Sequence, residues 1–134
     1  MSQAREAIAE ARSIRTAGDA AAAEQLYRQG AELAHSEEDD ILRAHALRHV
    51  SDLARERGDI ADALATAQEA VALYRATLDT RTLDLANALR LLALALESSG
   101  RQQEAAPAWH EARGLYADVD VQAGVEEAER HLAA

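Results

Sequence analysis

The sequence predicts an all-α protein built as an α-solenoid, in which three helical hairpins stack and a final helix caps the C-terminal end. Three observations lead to this prediction. Alanine, leucine, arginine and glutamate favour helices, and only one proline and six glycines interrupt the 134 residues. No window alternates apolar and polar residues with the period of two that is typical of strands. One pattern of glycine, small and large residues occurs three times along the chain.

The composition restricts the function classes. The 24 acidic and 14 basic residues give a net charge of −10, which disfavours binding to nucleic acid or to an anionic membrane. Cysteine is absent, which excludes disulfide scaffolds, thiol catalysis and thiolate zinc sites. No stretch reaches the roughly 20 apolar residues of a membrane span, and the polar N-terminus lacks the order of a secretory signal. We therefore expect one soluble, cytoplasmic domain over residues 1–134, with no cofactor.

Three segments of the chain align on glycines that are 40 and 42 residues apart, Gly18, Gly58 and Gly100. The segments are RTAGDAAAAEQLYRQGAELA, RERGDIADALATAQEAVALY and SSGRQQEAAPAWHEARGLY. Each glycine is predicted to supply the positive φ that ends one helix, and Asp19 and Asp59 are predicted to cap the helix that follows. One helix–turn–helix unit is therefore repeated three times.

Apolar periodicity and cap residues predict seven helices. Their expected ranges are 3–16, 20–34, 38–56, 60–77, 82–98, 102–116 and 121–132. Ser36 is the predicted N-cap of the third helix, with Asp39 three residues later, and the helix dipole favours acidic residues in this first turn. The fifth helix is expected to begin near Asp79 or Thr80, and the seventh near Asp120.

The second helix of each hairpin carries a stripe of small and large residues at helical spacing, which predicts its buried face. The equivalent positions are Ala23, Ala63 and Ala105; Tyr27, Ala67 and Trp109; Gly30, Ala70 and Ala112; and Leu33, Leu73 and Leu115. Small residues let neighbouring helices approach closely, while large residues fill the gaps. Tyr27 and Trp109 are therefore predicted to lie in the core.

The seventh helix has no hairpin partner and is predicted to cap the solenoid. Its apolar residues are expected to lie against the last hairpin; they are Val121, Val125, Ala128 and Leu132. Its charged residues are expected to face water; they are Glu126, Glu127, Glu129 and Arg130.

The three units resemble tetratricopeptide repeats, in which an alanine follows the inter-helix glycine and an aromatic and another small residue come next. The third unit is similar to the longer repeats of kinesin light chains, which favour the run Glu-Ala-x-Pro that lies here from Glu104 to Pro107. The expected repeats span about 3–36, 38–78 and 80–117, with a capping helix at 120–133. The first unit departs from the pattern, because Ala7 and Glu10 stand where larger apolar residues are usual.

The resemblance implies a right-handed superhelix whose first helices line a concave face that binds peptides or proteins, and it implies no enzymatic activity. The side chains that this arrangement places on the concave face as candidate binding residues are Arg5, Arg12, Arg15, His45, Arg48, His49, Asp52, Arg55, Asn87 and Arg90. Glu56, Leu94 and Glu97 share that face. Six arginines against three acids leave an excess positive charge. We therefore expect a small adaptor whose partner offers an acidic peptide segment or a free C-terminal carboxylate, because guanidinium groups bind carboxylates bidentately.

Other interpretations of the same residues stay open. The arginines are also consistent with solvated side chains that pair within their own helices; the spacing allows such a pair between Arg48 and Asp52 and between Arg12 and neighbouring acids. The chain is also consistent with a scaffold that self-associates, as a homodimer through the solenoid ends or faces, or with a regulatory module of a larger system.

Two histidines on the second unit have a spacing that allows metal binding. His45 and His49 are four residues apart, and Asp52 follows three residues later. The pattern lacks the glutamate of a metalloprotease motif, so we expect no metal. Histidines in a groove would make ligand binding sensitive to pH near neutrality.

Overall fold

The computed structural model describes residues 2–77 and 82–134, and the described residues form seven α-helices and no strand. The helices are α1 (Gln3–Thr16), α2 (Ala20–Ser36), α3 (Asp40–Glu56), α4 (Ile60–Ala76), α5 (Thr82–Ser98), α6 (Gln102–Asp118) and α7 (Gln122–Ala133). Each helix packs against the next one in the chain, and α3 also contacts both α1 and α5. This is the predicted solenoid of helical hairpins, and every helix end lies within two residues of its predicted position. No helix of the described residues is long and apolar enough to cross a bilayer.

The helices are joined by turns of one repeated geometry. Gly18, Gly58 and Gly100 have φ values of 100°, 92° and 78°, which confirms the predicted left-handed helix ends. In the second of these turns the Gly58 N–H donates to a carbonyl in the last turn of α3, and the next N–H donates to the carbonyl of Ala54 at 2.9 Å. The turns after α2 and α6 have the same bonds, but there the left-handed position is occupied by Glu38 (φ 59°) and Asp120 (φ 58°).

Three aspartates cap the helices that follow these turns. The carboxylates of Asp19, Asp39 and Asp59 accept the backbone N–H of the residue three positions later. The prediction that Ser36 caps α3 is wrong. Ser36 is the last residue of α2, and its hydroxyl donates to the carbonyl of Glu32 at 3.2 Å instead.

The predicted start of the seventh helix at Asp120 needs a similar correction. Asp120 occupies the left-handed position of the turn, so Val121 precedes the helix, and no side chain caps it. The predicted start at Asp79 or Thr80 lies outside the described residues.

The core follows the predicted stripe of the even-numbered helices. Ala23, Ala63 and Ala105 are buried, as are the residues that follow them on the stripe, with Tyr27 and Trp109 each only 1% exposed. The three leucines of the stripe are half-buried. Gly30 allows α1 and α2 to approach closely, because a Cβ at this position would lie 2.7 Å from Cγ1 of Ile8.

The capping helix α7 buries Val125 and Ala128 against the rest of the solenoid, as predicted. The prediction that Glu127 faces water is wrong, because Glu127 is half-buried and binds Arg90 of α5. Glu38 before α3 and Asp120 before α7 hold the same position in their turns, so the two helices can be aligned on them. In this alignment Glu126 and Glu129 of α7 correspond to Ala44 and Leu47 of α3, which are buried. Glu126 and Glu129 are exposed. The face of α7 that corresponds to the buried face of α3 is therefore charged and exposed.

Candidate functional site

The odd-numbered helices form a groove that consists of three hollows. The first hollow has a volume of about 510 Å³ and is lined by Arg5, Ile8, Ala9, Arg12, Tyr27, Asp39, Ile41, Leu42, His45, Tyr74 and Asp84. The second, of about 140 Å³, is lined by Arg15, Arg48, His49, Asp52, Asn87, Arg90 and Leu91. The third, of about 410 Å³, is lined by Asn87, Arg90, Tyr116, Val121, Ala123, Gly124, Glu127 and Arg130. The second and third hollows are adjacent, because Asn87 and Arg90 line both.

The structure brings nine of the ten predicted binding residues into the first two hollows. Arg5, Arg12 and His45 line the first hollow, and Arg15, Arg48, His49, Asp52, Asn87 and Arg90 line the second. Arg55 lines neither of these two hollows and instead donates to Asp52. Glu97, another residue predicted for the inner face, is engaged within the chain. Its carboxylate accepts a hydrogen bond from Nε1 of Trp109 in α6 and lies 2.8 Å from Nδ1 of His131 in α7.

Asp52, which lines the second hollow, binds two of the predicted arginines. Arg15 and Arg55 each donate to one carboxylate oxygen of Asp52 at 2.7 Å. Glu56 lies 3.4 Å from the Arg15 guanidinium. Burial opposes ionisation of Asp52, but the hydrogen bonds from the two arginines outweigh burial and hold the pKa of Asp52 below its usual range. The arrangement is an internal ion-pair cluster that links α1 to α3.

Arg48 and Arg90 also have acidic partners within the chain. Arg48 lies 3.6 Å from Asp84 of α5, its guanidinium lies 5.9 Å from the centre of the Tyr74 ring, and its side chain is 12% exposed. Arg90 binds Glu127 through both carboxylate oxygens, with its Nη2 at 3.0 Å from Oε2. The hydrogen bonds from Arg90 lower the pKa of Glu127 and keep this carboxylate ionised.

These pairs remove the excess positive charge that the sequence predicts for the groove. Four arginines, at positions 15, 48, 55 and 90, are matched by four carboxylates, at positions 52, 56, 84 and 127. Three carboxylates that pair with groove arginines were not predicted from the sequence, those of Asp39, Asp84 and Glu127. Asp39 caps α3, whereas Asp84 of α5 and Glu127 of α7 each lie on the odd-numbered helix that follows the helix of their arginine. A signal was present, because Arg15, Arg48 and Arg90 are each followed by their acidic partner after 36 or 37 residues.

Arg5 and Arg12 differ from the paired arginines. Arg5 lies 3.9 Å from Asp39, and its side chain is 70% exposed, so this ion pair is weak. Arg12 is exposed, and among residues 2–77 and 82–134 it has no carboxylate within ion-pair distance. Arg12 lines the first hollow together with the apolar residues Ile8 and Leu42. This hollow therefore combines an unpaired cation with an apolar wall.

The two groove histidines belong to a column of stacked rings. The His49 ring stacks on Tyr27 with centroids 4.5 Å apart and 5° between the planes, and His45 meets His49 edge-on at 4.9 Å. Burial, followed by the positive charges of neighbouring groups, lowers the pKa of His49 to about 3, and burial also lowers the pKa of His45. Both rings are therefore neutral near pH 7, and the expected pH sensitivity near neutrality moves to more acidic pH.

The metal-compatible spacing of His45, His49 and Asp52 does not produce a ligand set. Nδ1 of His49 lies 3.2 Å from Nη1 of Arg15, and both oxygens of Asp52 accept hydrogen bonds from arginines. Within the part of the chain that the structure describes, no three histidine, aspartate or glutamate side chains are placed to hold a metal ion.

Comparisons with known proteins support the fold. No protein-family model matches the chain, and no curated protein matches it. Among solved structures, the chain is similar to the crystal structure of BtubC (BKLC) from P. vanneervenii, with a TM-score of 0.77 and 16% sequence identity. The match covers 87% of this chain and 48% of that chain, so this chain spans about half the length of BtubC. At this identity the likeness shows the fold alone, a solenoid of helical hairpins of the tetratricopeptide-like kind.

Proposed function

We propose that the chain is a non-enzymatic interaction module whose groove binds a peptide segment of a partner protein, with an acidic side chain or a free C-terminal carboxylate at Arg12. The single observation that carries this proposal is the position of Arg12, exposed in the largest of the three hollows and without an acidic partner among the described residues. The helical-repeat fold supports a protein partner, because such surfaces present extended grooves.

The charges of the groove favour Arg12 over the other arginines as the anchor. A ligand carboxylate at Arg15, Arg48 or Arg90 would compete with an internal carboxylate for the guanidinium. At Arg12 a new charge-assisted hydrogen bond forms without that competition, and it contributes about 1.5 to 3 kcal/mol where water is excluded and about 0 to 1 kcal/mol in the open.

The apolar wall of the first hollow adds to the carboxylate contact. Ile41 and Leu42 are half-buried, so part of their surface faces the hollow. Covering this surface with an apolar ligand side chain contributes about 25 cal/mol for each Å² that is removed from water. The best ligand therefore carries an apolar residue next to its carboxylate.

Charge reversal at Arg12 tests the proposal. The probe is a panel of 12-residue peptides of acidic, neutral or basic composition, each with a free or an amidated C-terminus. We expect the acidic or free-carboxylate peptides to bind, the Arg12→Glu variant to lose this binding, and the affinity of the wild type to fall as NaCl rises from about 50 to about 500 mM. Calorimetry measures the affinity, and circular dichroism checks that the helices are intact.

A matched variant controls for the change in net charge. Arg113 lies on α6, outside the three hollows, and its weak pair with Glu129 has a distance of 3.8 Å. Arg113→Glu alters the net charge as Arg12→Glu does, and it is expected to bind like the wild type. Reversal at Arg48 or Arg90 is a poorer test, because it breaks an internal ion pair as well. Equal binding by wild type and Arg12→Glu contradicts the proposal, and a dimer that forms in light scattering while no peptide binds favours self-association instead.

A further inference from the structure

We propose that the middle of the groove binds the main-chain carbonyl oxygens of an extended ligand through the neutral N–H donors of His45, His49 and Asn87. This inference rests on the proposed function, because it concerns the same groove. It assigns to these three residues a role that is separate from the charged contact at Arg12.

The arginines determine which nitrogen of each histidine carries the proton. Nη2 of Arg48 lies 2.9 Å from Nδ1 of His45, and Nη1 of Arg15 lies 3.2 Å from Nδ1 of His49. A guanidinium donates hydrogen bonds and cannot accept them, so Nδ1 of each ring is the acceptor and the proton is on Nε2. Each neutral imidazole thus keeps one N–H donor at Nε2.

Both Nε2 donors are unused within the described residues, because neither Nε2 has a hydrogen-bond partner there. Neither is among the fully buried side-chain nitrogens that lack a partner, which belong to Arg48 and Arg55. His45 lines the first hollow and His49 lines the second, so we infer that these donors can reach a ligand in the groove.

Asn87 supplies the third donor. The hydroxyl of Tyr116, a buried side chain of α6, donates to Oδ1 of Asn87 at 2.7 Å. This bond uses the amide oxygen and leaves the two N–H groups of Nδ2 for the second and third hollows. Asn87 therefore faces the groove as a donor.

The surroundings of these donors favour neutral acceptors. The four paired arginines and their four carboxylates cancel, so the middle of the groove has little net charge to attract an acidic side chain. His45 and His49 are neighbours on α3, with ring centroids 4.9 Å apart. Main-chain carbonyl oxygens are neutral acceptors that repeat along an extended chain. We therefore expect an extended peptide that lies across α3 and α5 to offer its carbonyl oxygens to these donors.

The first test is the tautomer of the two histidines. We expect long-range ¹H–¹⁵N NMR spectra of the free protein to show both rings as the neutral Nε2–H form at about pH 8, and His49 to keep this form down to about pH 5.5. The groups that face these rings come from four neighbouring helices. They are Arg12 and Arg15 of α1, Tyr27 of α2, Arg48 and Asp52 of α3, and Asp84, Asn87 and Arg90 of α5. A ring that carries its proton on Nδ1, or that titrates near its ordinary pKa of about 6.5, overturns the inference.

The second test removes the His45 donor, and a third removes the Asn87 donors. The probe is a 12-residue peptide of uncharged residues with one aspartate near its end, blocked at both termini. His45→Leu removes the donor, whereas His45→Gln keeps an N–H near the position of Nε2 and serves as the matched control. We expect His45→Leu to weaken binding by about 3- to 10-fold and His45→Gln to weaken it by less than about 2-fold.

Asn87→Asp gives an independent measurement that leaves the fold in place, because the hydroxyl of Tyr116 can still donate to the carboxylate. We expect this variant to lose about 10-fold in affinity, since both N–H donors are gone. Wild-type affinity in both His45→Leu and Asn87→Asp overturns the inference. If these variants bind normally while Arg12→Glu does not, the inference fails and the proposed function stands. If the wild type binds no peptide, both fail.

Discussion

At the scale of single residues, the arginines of the groove and their neighbours decide which groups can act on a ligand. His49 shows this most clearly. Its ring is buried against Tyr27, and its Nδ1 lies 3.2 Å from Nη1 of Arg15. Burial and the positive charges of neighbouring groups, Arg15 among them, disfavour the charged imidazolium. His49 is therefore a residue through which pH acts on stability.

We predict that the free energy of unfolding falls as the pH is lowered from about 7 to about 5. The pKa of His49 is about 3 in the folded chain, and it is about 6.5 when the chain unfolds. Below pH 6.5 the unfolded chain takes up a proton that the folded chain does not, so stability that is present above this pH is lost progressively towards pH 3. The loss at pH 5 is on the order of 2 kcal/mol. Urea unfolding at the two pH values measures it.

Two histidine variants complete this test. His49→Gln removes the titrating ring, so it should lose much less stability between the two pH values than the wild type does. His110 is exposed on α6, and His110→Gln should keep the pH dependence of the wild type. A wild type with equal stability at pH 7 and pH 5, or a His49→Gln variant with an undiminished loss, contradicts the assignment.

A second prediction at this scale concerns the left-handed turn residues. Glu38 has a φ of 59° at the position that Gly58 occupies in the next turn, and this conformation costs a residue with a Cβ about 1 to 2 kcal/mol. Glycine removes that strain but loses more entropy on folding. Glu38→Gly is therefore expected to stabilise the chain by about 0.5 to 1 kcal/mol in urea unfolding. Gly58→Ala is the reverse control and should destabilise it; a destabilised Glu38→Gly variant contradicts the prediction.

At the scale of the helices, the sequence predicted all seven helices of the described residues, and it placed their ends to within two residues. The glycine turns at Gly18, Gly58 and Gly100 and the stripe of small residues are local signals, and each has one physical interpretation. The cap of α3 was misassigned because Ser36 and Asp39 both have side chains that can accept an N–H. Only the geometry of the preceding turn decides between them.

The acidic partners of the groove arginines were not predicted, for a different reason. The pairs of Arg48 with Asp84 and of Arg90 with Glu127 join successive odd-numbered helices, so they depend on how the hairpins stack. A list of side chains on one helix face does not include the partner that reaches over from the next helix. Nine of the ten predicted residues line the first two hollows, but the sequence did not predict the carboxylates that balance their charge.

The packing of α7 gives the prediction at this scale. A Cβ at Gly124 would lie 2.5 Å from the ring of Tyr116, whereas a Cβ at Gly114 has no atom within 4 Å. Gly124→Ala is therefore expected to destabilise the chain by about 1 to 3 kcal/mol through overpacking. Gly114→Ala, in the exposed part of α6, should stabilise it by about 0.5 to 1 kcal/mol, because alanine is the better helix former.

Hydrogen exchange shows where the effect acts. In Gly124→Ala, the amides of α7 should exchange faster than in the wild type, while those of α1 to α4 change little, because the contacts of α7 are confined to the C-terminal end of the solenoid. Equal stabilities of the two alanine variants, or loss of protection throughout the chain, contradict this account of how α7 is held.

At the scale of the whole molecule, the charge is unevenly distributed, because the chain has a net charge of −10 while the groove is close to neutral. The arginines at positions 15, 48 and 90 tie neighbouring odd-numbered helices together, and the groove that they line is close to neutral. Glu126 and Glu129 make the exposed face of α7 acidic. The surface that remains for an acidic ligand is the first hollow, where Arg12 has no internal partner among the described residues.

The most direct test of this account is a map of backbone amide shifts in NMR spectra as an acidic 12-residue peptide is added to the wild type. The account predicts that the shifts cluster around the first hollow, at Ile8 and Arg12 of α1 and at Leu42 and His45 of α3, and continue weakly to Asn87. Shifts that centre on α2, α4 and α6, or that spread evenly over every exposed arginine, would show that the ligand does not use the groove.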